Sequence, residues 1–251
     1  MGSSQLVNER GKMSLTILWS LLAVFSTATI PSCKSVHGSN LAKVPATSVE
    51  RKTECLTHED FANDLKTLST GTWPEIERAQ QQLLSTAAKS ESCRAEVISV
   101  LMKAMDQPNL NFRDDPASLQ LWRWGAEVLG ELKATEALDL LISHLNLTGW
   151  TFSMSMSHQP ALRGVVKIGP AAIPKLDHVL KHSSDPTMRQ SAVYCIATIG
   201  GLSAVSSLRE SLGSESDRCV RRFIKASLDS FDENGQIKNR GEWFSGFACN
   251  D

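Results

Sequence analysis

The sequence predicts an all-α fold, an α-solenoid in which antiparallel helix pairs stack side by side. Two segments, 161–170 and 192–201, carry the same apolar helical stripe closed by Ile-Gly, and they start 31 residues apart. A period of this size, with helices on both sides of the glycine, is typical of helical repeats. The chain has 251 residues, 41% of them hydrophobic, which is enough to bury a sizeable core.

The first predicted pair begins at Thr72-Trp73-Pro74-Glu75, a capping-box sequence with proline in the first turn. Its apolar stripe is Ile76, Ala79, Leu83 and Ala87, and the partner helix carries Val97, Leu101 and Met105. The segment Thr57-His58-Glu59-Asp60 predicts an earlier helix N-terminus with acidic residues in the first turn.

Three further divisions follow along the chain. Asp114-Asp115-Pro116 precedes a second pair, which carries Leu121, 127–130, Leu138, Leu141 and Leu145. The third pair divides at Gly169-Pro170 and the fourth at Gly200-Gly201. A closing helix is predicted from Asp217 to about Phe231, and an irregular aromatic cap over 232–251. The alternative for this tail is a peptide-like segment that inserts into another molecule.

The second and third divisions resemble HEAT repeats, in particular the short type found in phycobilisome lyases and in many bacterial scaffold proteins. The resemblance rests on 129–141 and 168–176 and extends over roughly 117–230, more loosely over 60–110. It implies about four right-handed stacked pairs plus a closing helix, and a concave face that binds another protein.

Composition and motifs argue against two other classes of function. Lys and Arg number 26 and Asp and Glu 27, so the chain lacks the basic surplus typical of nucleic-acid binders. HEAT enzymes of the deoxyhypusine hydroxylase type use several His-Glu pairs as iron ligands, whereas this sequence has one, His58-Glu59. We therefore expect a non-catalytic protein without a cofactor, and no nucleic-acid partner.

The N-terminus, 1–32, has the pattern of a signal segment. Arg10 and Lys12 precede an uncharged run over 15–30 that is too short and too polar for a membrane-spanning helix. Ser26-Thr27-Ala28 fits ordinary signal cleavage, whereas Ile30-Pro31-Ser32-Cys33 resembles a bacterial lipobox and predicts lipidation of Cys33. An uncleaved anchor and a soluble exported protein are the alternatives.

We expect an exported protein, periplasmic or an outer-membrane lipoprotein, with membrane contact through the lipid or signal anchor. The polar segment 33–55 is then a flexible tether to a helical domain over 56–251.

The six cysteines show no CxxC pair and no Cys/His cluster with zinc spacing. If Cys33 carries lipid, at least one of the remaining five is unpaired, and Cys195 is the expected buried free thiol because it lies in an apolar stripe. Candidate disulfides join Cys55 to Cys93 and Cys219 to Cys249, although sequence alone leaves the pairing open.

The repeat period breaks between the second and third pairs. Measured from Gly130, the spacing to Gly169 exceeds the spacing from Gly169 to Gly200 by about eight residues, which locates an insertion at 146–159. Loops inserted into solenoids often carry binding sites. We predict a partner-binding surface here, or a loop that folds back to fill a gap in the stack. The residues that alternate along it are Trp150, Phe152, Met154, Met156 and His158.

Met154, Met156 and His158 also suggest a second class of function. Two thioethers and an imidazole are soft ligands that suit Cu(I), so the alternative is a periplasmic copper-handling protein. His178 and His182, four residues apart, are interpreted instead as a solvated helix face.

Two smaller expectations concern side-chain environments. Arg221, Arg222 and Lys225 form a basic group that Glu215 and Asp217 are expected to neutralise, the alternative being contact with an acidic partner or lipid head group. Trp122 and Trp124 diverge by about 200° on a helix, so one of them is expected near the surface or under the inserted loop.

Overall fold

A computed structural model describes residues 55–107, 115–147 and 159–238, all within the compact unit Glu50–Asp251. These residues form ten α-helices and no β-strand, apart from one isolated antiparallel bridge between Phe231 and Ile237. The prediction of an all-α fold is therefore confirmed. The predicted signal segment, Cys33 and nearly all of the tether lie outside the described residues.

The first three helices are α1 (His58–Thr70), α2 (Trp73–Ala87) and α3 (Glu91–Met105). Capping boxes at Thr57 and Thr72 begin α1 and α2, because each threonine pairs with an acidic side chain three residues later. The predicted first pair corresponds to α2 and α3, which pack together. Helix α1 adds an element before this pair and contacts α2 and the helix that follows α3.

The remaining helices follow the predicted divisions. They are α4 (Pro116–Glu131), α5 (Leu138–Ser143), α6 (Pro160–Ile168), α7 (Ile173–His182), α8 (Pro186–Ile199), α9 (Leu202–Ser214) and α10 (Arg218–Ser230). Short 3-10 turns, Thr135–Ala137 and Pro170–Ala172, precede α5 and α7. Asp115, Asp185 and Asp217 cap α4, α8 and α10 through their side chains.

The helices after α3 form two rows. Helices α4, α6, α8 and α10 contact one another in succession, and α7 contacts both α5 and α9 in the second row. A continuous apolar core lies between the rows and includes Leu129, Leu141, Leu162, Leu176 and Ile196, each almost fully buried. Because α1 and α2 both pack on α4, the core extends to the first helices.

Both tryptophans of α4 are buried, so neither lies near the surface; the alternative, that one lies under the inserted loop, concerns residues outside the described ranges. The Nε1 atom of Trp122 donates to the Met105 carbonyl at 3.0 Å, and its ring lies 4.4 Å from that of His144. The ring of Trp124 packs edge-on against Trp73 at 5.0 Å. Helix α4 has neighbours on several sides, α1, α2, α3 and α6, so opposite faces of this helix can both be buried.

Gly130 does not mark a helix end, which corrects the spacing used in the sequence analysis. Gly169 and Gly200 end α6 and α8 with positive φ, whereas Gly130 lies inside α4 at its contact with α6. The corresponding left-handed residue of the second pair is Lys133, 36 residues before Gly169. Measured in this way, the excess over the period of 31 residues is five rather than eight.

The cysteines of the described residues have three different environments. Cys55 and Cys93 form a disulfide that joins the residue before α1 to the start of α3. Cys195 is the buried free thiol that the sequence predicted, and burial raises its pKa well above the usual thiol range. Cys219 is disulfide-bonded, and its candidate partner Cys249 lies outside the described residues.

After α10 the chain makes a tight turn that packs on the junction between α8 and α9. Asp232 Oδ1 accepts hydrogen bonds from the backbone N–H groups of Asn234 and Gln236, and the Gly201 N–H donates to the Gly235 carbonyl at 2.8 Å. A side chain at Gly235 would overlap the Gly201 backbone, at 2.7 Å. The first residues of the predicted cap therefore cover one end of the last helix pair.

Candidate partner-binding site

The predicted binding residues Trp150, Phe152, Met154, Met156 and His158 lie outside the described residues, but both stems of their segment are described. Helix α5 ends at Ser143 and α6 begins at Pro160, whereas only residues 183–185 separate α7 from α8. The connection is therefore long at the place where the sequence predicted an insertion. Part of its length arises because α5 is only six residues long.

The first stem is fixed by Asn146. Its side-chain Nδ2 donates to Asp185 Oδ2, and its Oδ1 accepts from the Ser191 hydroxyl, both at 3.0 Å. Asp185 also accepts from the backbone N–H of Thr187 at 2.8 Å as the cap of α8. One amide thus ties the start of the long connection to the next inter-helix turn.

A buried ion pair extends these contacts to the turn before α10. Arg189 Nε and Nη2 donate to the two carboxylate oxygens of Glu215 at 2.9 and 3.0 Å, and Nη1 donates to the Ser183 carbonyl at 2.8 Å. The side chains of Arg189 and Glu215 are only 11% and 5% exposed. Glu215 also accepts from the backbone N–H of Asp217 at 2.8 Å.

We name this row the connector spine, defined by Asn146, Asp185, Arg189, Glu215 and Asp217. It joins the connections 144–159, 183–185 and 215–217 along one edge of the helix rows. Bidentate charge-assisted bonds fix both distance and orientation. Asn146 therefore fixes one stem of the long connection to this edge.

A second feature, which the sequence analysis did not identify as a site, is an exposed aromatic surface at the start of α2. The Trp73 side chain is 62% exposed although its ring packs on Trp124. The guanidinium of Arg123 lies 4.8 Å from the Trp124 ring centroid, a cation–π distance. The capping box could have indicated this exposure, because it places Trp73 in the first turn with Ile76 on the buried side.

The basic group on α10 forms no ion pair with Glu215 or Asp217, the two acids expected to neutralise it. Glu215 is bound by Arg189, and Asp217 Oδ1 accepts the backbone N–H groups of Cys219 and Val220 at 2.9 Å. The exposed cations of α10 form no ion pair within the described residues. We name them the α10 basic face: Arg218, Arg221, Arg222 and Lys225.

The described residues hold no group of three or more His, Cys, Asp or Glu side chains that could bind a metal ion. His178 and His182 are exposed, with ring centroids 4.5 Å apart, consistent with the predicted solvated face. A shallow groove of about 280 Å³ beside α3 is lined by Ile98, Met102 and Glu136 among others. Glu136 is already paired with Arg94 at 3.0 Å.

One buried carboxyl group stands apart from these pairs. The Asp64 side chain on α1 is buried, and its Oδ2 atom has no hydrogen-bond partner. Burial, together with the nearby charge of Asp60, raises the pKa of Asp64 to about 6. A single isolated carboxyl does not make an active site, but it makes stability depend on pH.

No protein-family model, curated protein or solved structure matches the chain. None of the helices in the described ranges is both long enough and apolar enough to span a bilayer.

Proposed function

We propose that this chain is a non-catalytic protein-interaction scaffold, exported to the cell envelope and built as a right-handed α-solenoid of HEAT-like helix pairs. The observation that carries the proposal is the connector spine. It joins Asn146, at the start of the long connection, to the connections 183–185 and 215–217 along one edge. Such an edge gives a recognition loop a fixed starting point.

The two rows of helices support the solenoid part of the proposal. In a solenoid each repeat buries its apolar face against its neighbours, so contacts run in succession along the chain. The succession from α4 through α6 and α8 to α10, with α7 between α5 and α9, has this character. The two positive-φ glycines, Gly169 and Gly200, occupy equivalent helix ends one period apart.

We assign partner binding to the segment that contains Trp150, Phe152, Met154, Met156 and His158. Aromatic and methionine side chains supply large, adaptable contact areas and are enriched at protein interfaces. The exposed Trp73 gives a second anchor of the same chemistry on the described part of the molecule. The partner is therefore expected to be a protein with an apolar contact surface.

The envelope part of the proposal rests on the signal-like N-terminus and on the disulfides. Cys55 is bonded to Cys93, and Cys219 is also bonded. Disulfides persist in oxidising compartments, which agrees with export. The lipidated Cys33 would then tether the helical domain to a membrane.

Affinity capture from membranes, with mass spectrometry of the captured material, tests this proposal. Wild type should carry lipid on Cys33 and should retain a protein partner after detergent washing. Cys33→Ala should lose the lipid and leave the membrane fraction while its folded domain keeps binding the same partner. A wild-type protein without lipid and without a partner would contradict both the anchoring and the scaffold function.

A further inference from the structure

Ion pairs join several neighbouring helices of this molecule. Arg163 of α6 pairs with Glu127 of α4 at 2.9 Å, and Lys181 of α7 pairs with Glu210 of α9 at 2.9 Å. Similar pairs join Lys167 to Glu127 and Glu131, Lys175 to Asp139, Arg94 to Glu136 and Arg189 to Glu215. Six cations of the described helices are thus paired with a carboxylate of a neighbouring element.

Helix α10 is the last helix of the described residues, and four exposed cations share its outward face. Val220, Phe223 and Ile224 face α8 and α9 and are buried. On the opposite side, the α10 basic face spans an arc of about 100°, because Arg221 and Arg222, one residue apart, form its two edges and the other two members lie between them. All four of its side chains belong to exposed residues, and none forms an ion pair with another described residue.

We propose that the α10 basic face binds an acidic segment of a partner protein, whose carboxylates pair with the four cations clustered on this face. This inference deepens the proposed function, because it rests on the chain being a scaffold and names the chemistry of a second contact surface. Three of the four cations are arginines, whose planar guanidinium groups bind carboxylates through two parallel hydrogen bonds.

Two observations favour a protein segment over a membrane surface as the occupant. The acidic Asp229 lies within the same exposed arc, one turn after Lys225, and a plane of anionic lipid would meet its charge together with the cations. The exposed residues of α10 include no apolar side chain that could insert below lipid head groups. A polypeptide can place carboxylates beside the four cations and a cation or neutral group beside Asp229, which a uniform anionic surface cannot.

The test measures binding of a fluorescein-labelled oligoglutamate peptide to the purified full-length chain by fluorescence anisotropy. The variant Arg218→Gln/Arg221→Gln/Arg222→Gln/Lys225→Gln should weaken binding by at least about tenfold at low ionic strength, and added salt should reduce wild-type binding. The matched control, Lys66→Gln/Arg78→Gln/Lys89→Gln/Lys103→Gln, removes the same charge from exposed residues elsewhere and should bind like wild type.

Three results would overturn the proposal. The first is equal peptide binding by the α10 variant and the control, which would show that total charge rather than this face is recognised. The second is α10-dependent binding to vesicles of equal parts phosphatidylcholine and phosphatidylglycerol without peptide binding. The third is a tenfold gain in peptide binding on Glu242→Gln/Asp251→Asn, which would identify the chain's own C-terminal segment as the occupant.

Failure here is distinguishable from failure of the scaffold function. The peptide assay uses a synthetic probe and purified protein, so it does not require the natural partner. A captured partner together with no peptide binding would reject only the α10 basic face.

Discussion

At the scale of single residues, the surroundings of the Asp64 carboxyl disfavour its ionised form. The carboxyl is buried on α1 and one of its oxygens has no hydrogen-bond partner, and its pKa is raised to about 6. The unfolded chain releases this proton near pH 4. Between these values the folded state binds more protons than the unfolded state, so the contribution of Asp64 to stability falls as pH rises and is lowest above pH 6.

Asp64→Asn removes this dependence because the amide does not titrate. We expect the variant to exceed wild type in free energy of unfolding by about 1–2 kcal/mol at pH 7, with the difference shrinking to near zero by about pH 4. Urea denaturation of both proteins across this pH range measures the difference in free energy of unfolding. The other carboxyl groups are common to both proteins, so their pH-dependent contributions cancel in that difference. A difference independent of pH would show that Asp64 is ionised with an ordinary pKa.

Sequence reasoning found residues whose environment is set locally and missed those set by neighbouring helices. The capping boxes at Thr57 and Thr72 were readable because both partners lie within one turn. The burial of both Trp122 and Trp124 depends on helices packed on several sides of α4, which periodicity within one helix cannot reveal. The pairing of Glu215 with Arg189 likewise joins residues 26 positions apart.

At the scale of helices, the backbones of α4 and α6 approach each other closely at Gly164. A Cβ atom at Gly164 would lie 2.8 Å from the Ala126 carbonyl oxygen. We expect Gly164→Ala to lower the free energy of unfolding by about 1–3 kcal/mol, because the two backbones must separate. The matched control is Gly213→Ala on α9, where no atom lies within 4 Å of the new methyl group.

The control should stabilise by up to about 1 kcal/mol through helix propensity. Thermal denaturation of both variants gives the comparison. Equal effects at the two sites would mean that α4 and α6 do not pack this closely.

The connector spine makes a second prediction at this scale. Arg189→Met leaves the Glu215 carboxylate buried without its partner and should cost about 3–5 kcal/mol of unfolding free energy. Lys175→Met removes the exposed pair with Asp139 and should cost less than about 1 kcal/mol. Chemical denaturation measures both, and Arg189→Met/Glu215→Leu should recover most of the loss. Similar small losses at both sites would contradict a buried spine.

The Ile-Gly pattern located two helix ends, but the length of the insertion could not be measured from it. Gly169 and Gly200 end helices as the Ile-Gly pattern predicted, because glycine adopts positive φ without strain. Gly130 follows a similar pattern yet serves close packing between α4 and α6, and Lys133 takes the left-handed position. Because Gly130 lies inside a helix rather than at its end, the predicted insertion is longer than the one measured from Lys133.

At the scale of the whole molecule, a solenoid should lose stability locally. Cys55→Ala removes the disulfide that joins the residue before α1 to α3. We expect faster amide hydrogen exchange in α1, α2 and α3 with little change in α8, α9 and α10, because stability in stacked repeats is carried by neighbouring interfaces. Hydrogen exchange with mass spectrometry resolves these regions. A uniform acceleration through α10 would indicate one cooperative globular core.

The assignment of function to the whole molecule depends on the segment between α5 and α6. Sequence placed the candidate residues there because they interrupt the period, and the described stems show a long connection that starts at the connector spine. What those side chains contact could not be predicted, since a partner surface and a filled gap in the stack require the same apolar residues.

Quantitative affinity capture with a loop variant tests the scaffold function most directly. The variant Trp150→Ser/Phe152→Ser/Met154→Ser/Met156→Ser is compared with wild type and with Leu202→Ser, which removes an exposed apolar side chain elsewhere. We predict that the loop variant keeps wild-type helicity and melting temperature and loses the partner, whereas Leu202→Ser retains it. A loop variant that melts well below wild type, or that retains the partner fully, would contradict the account.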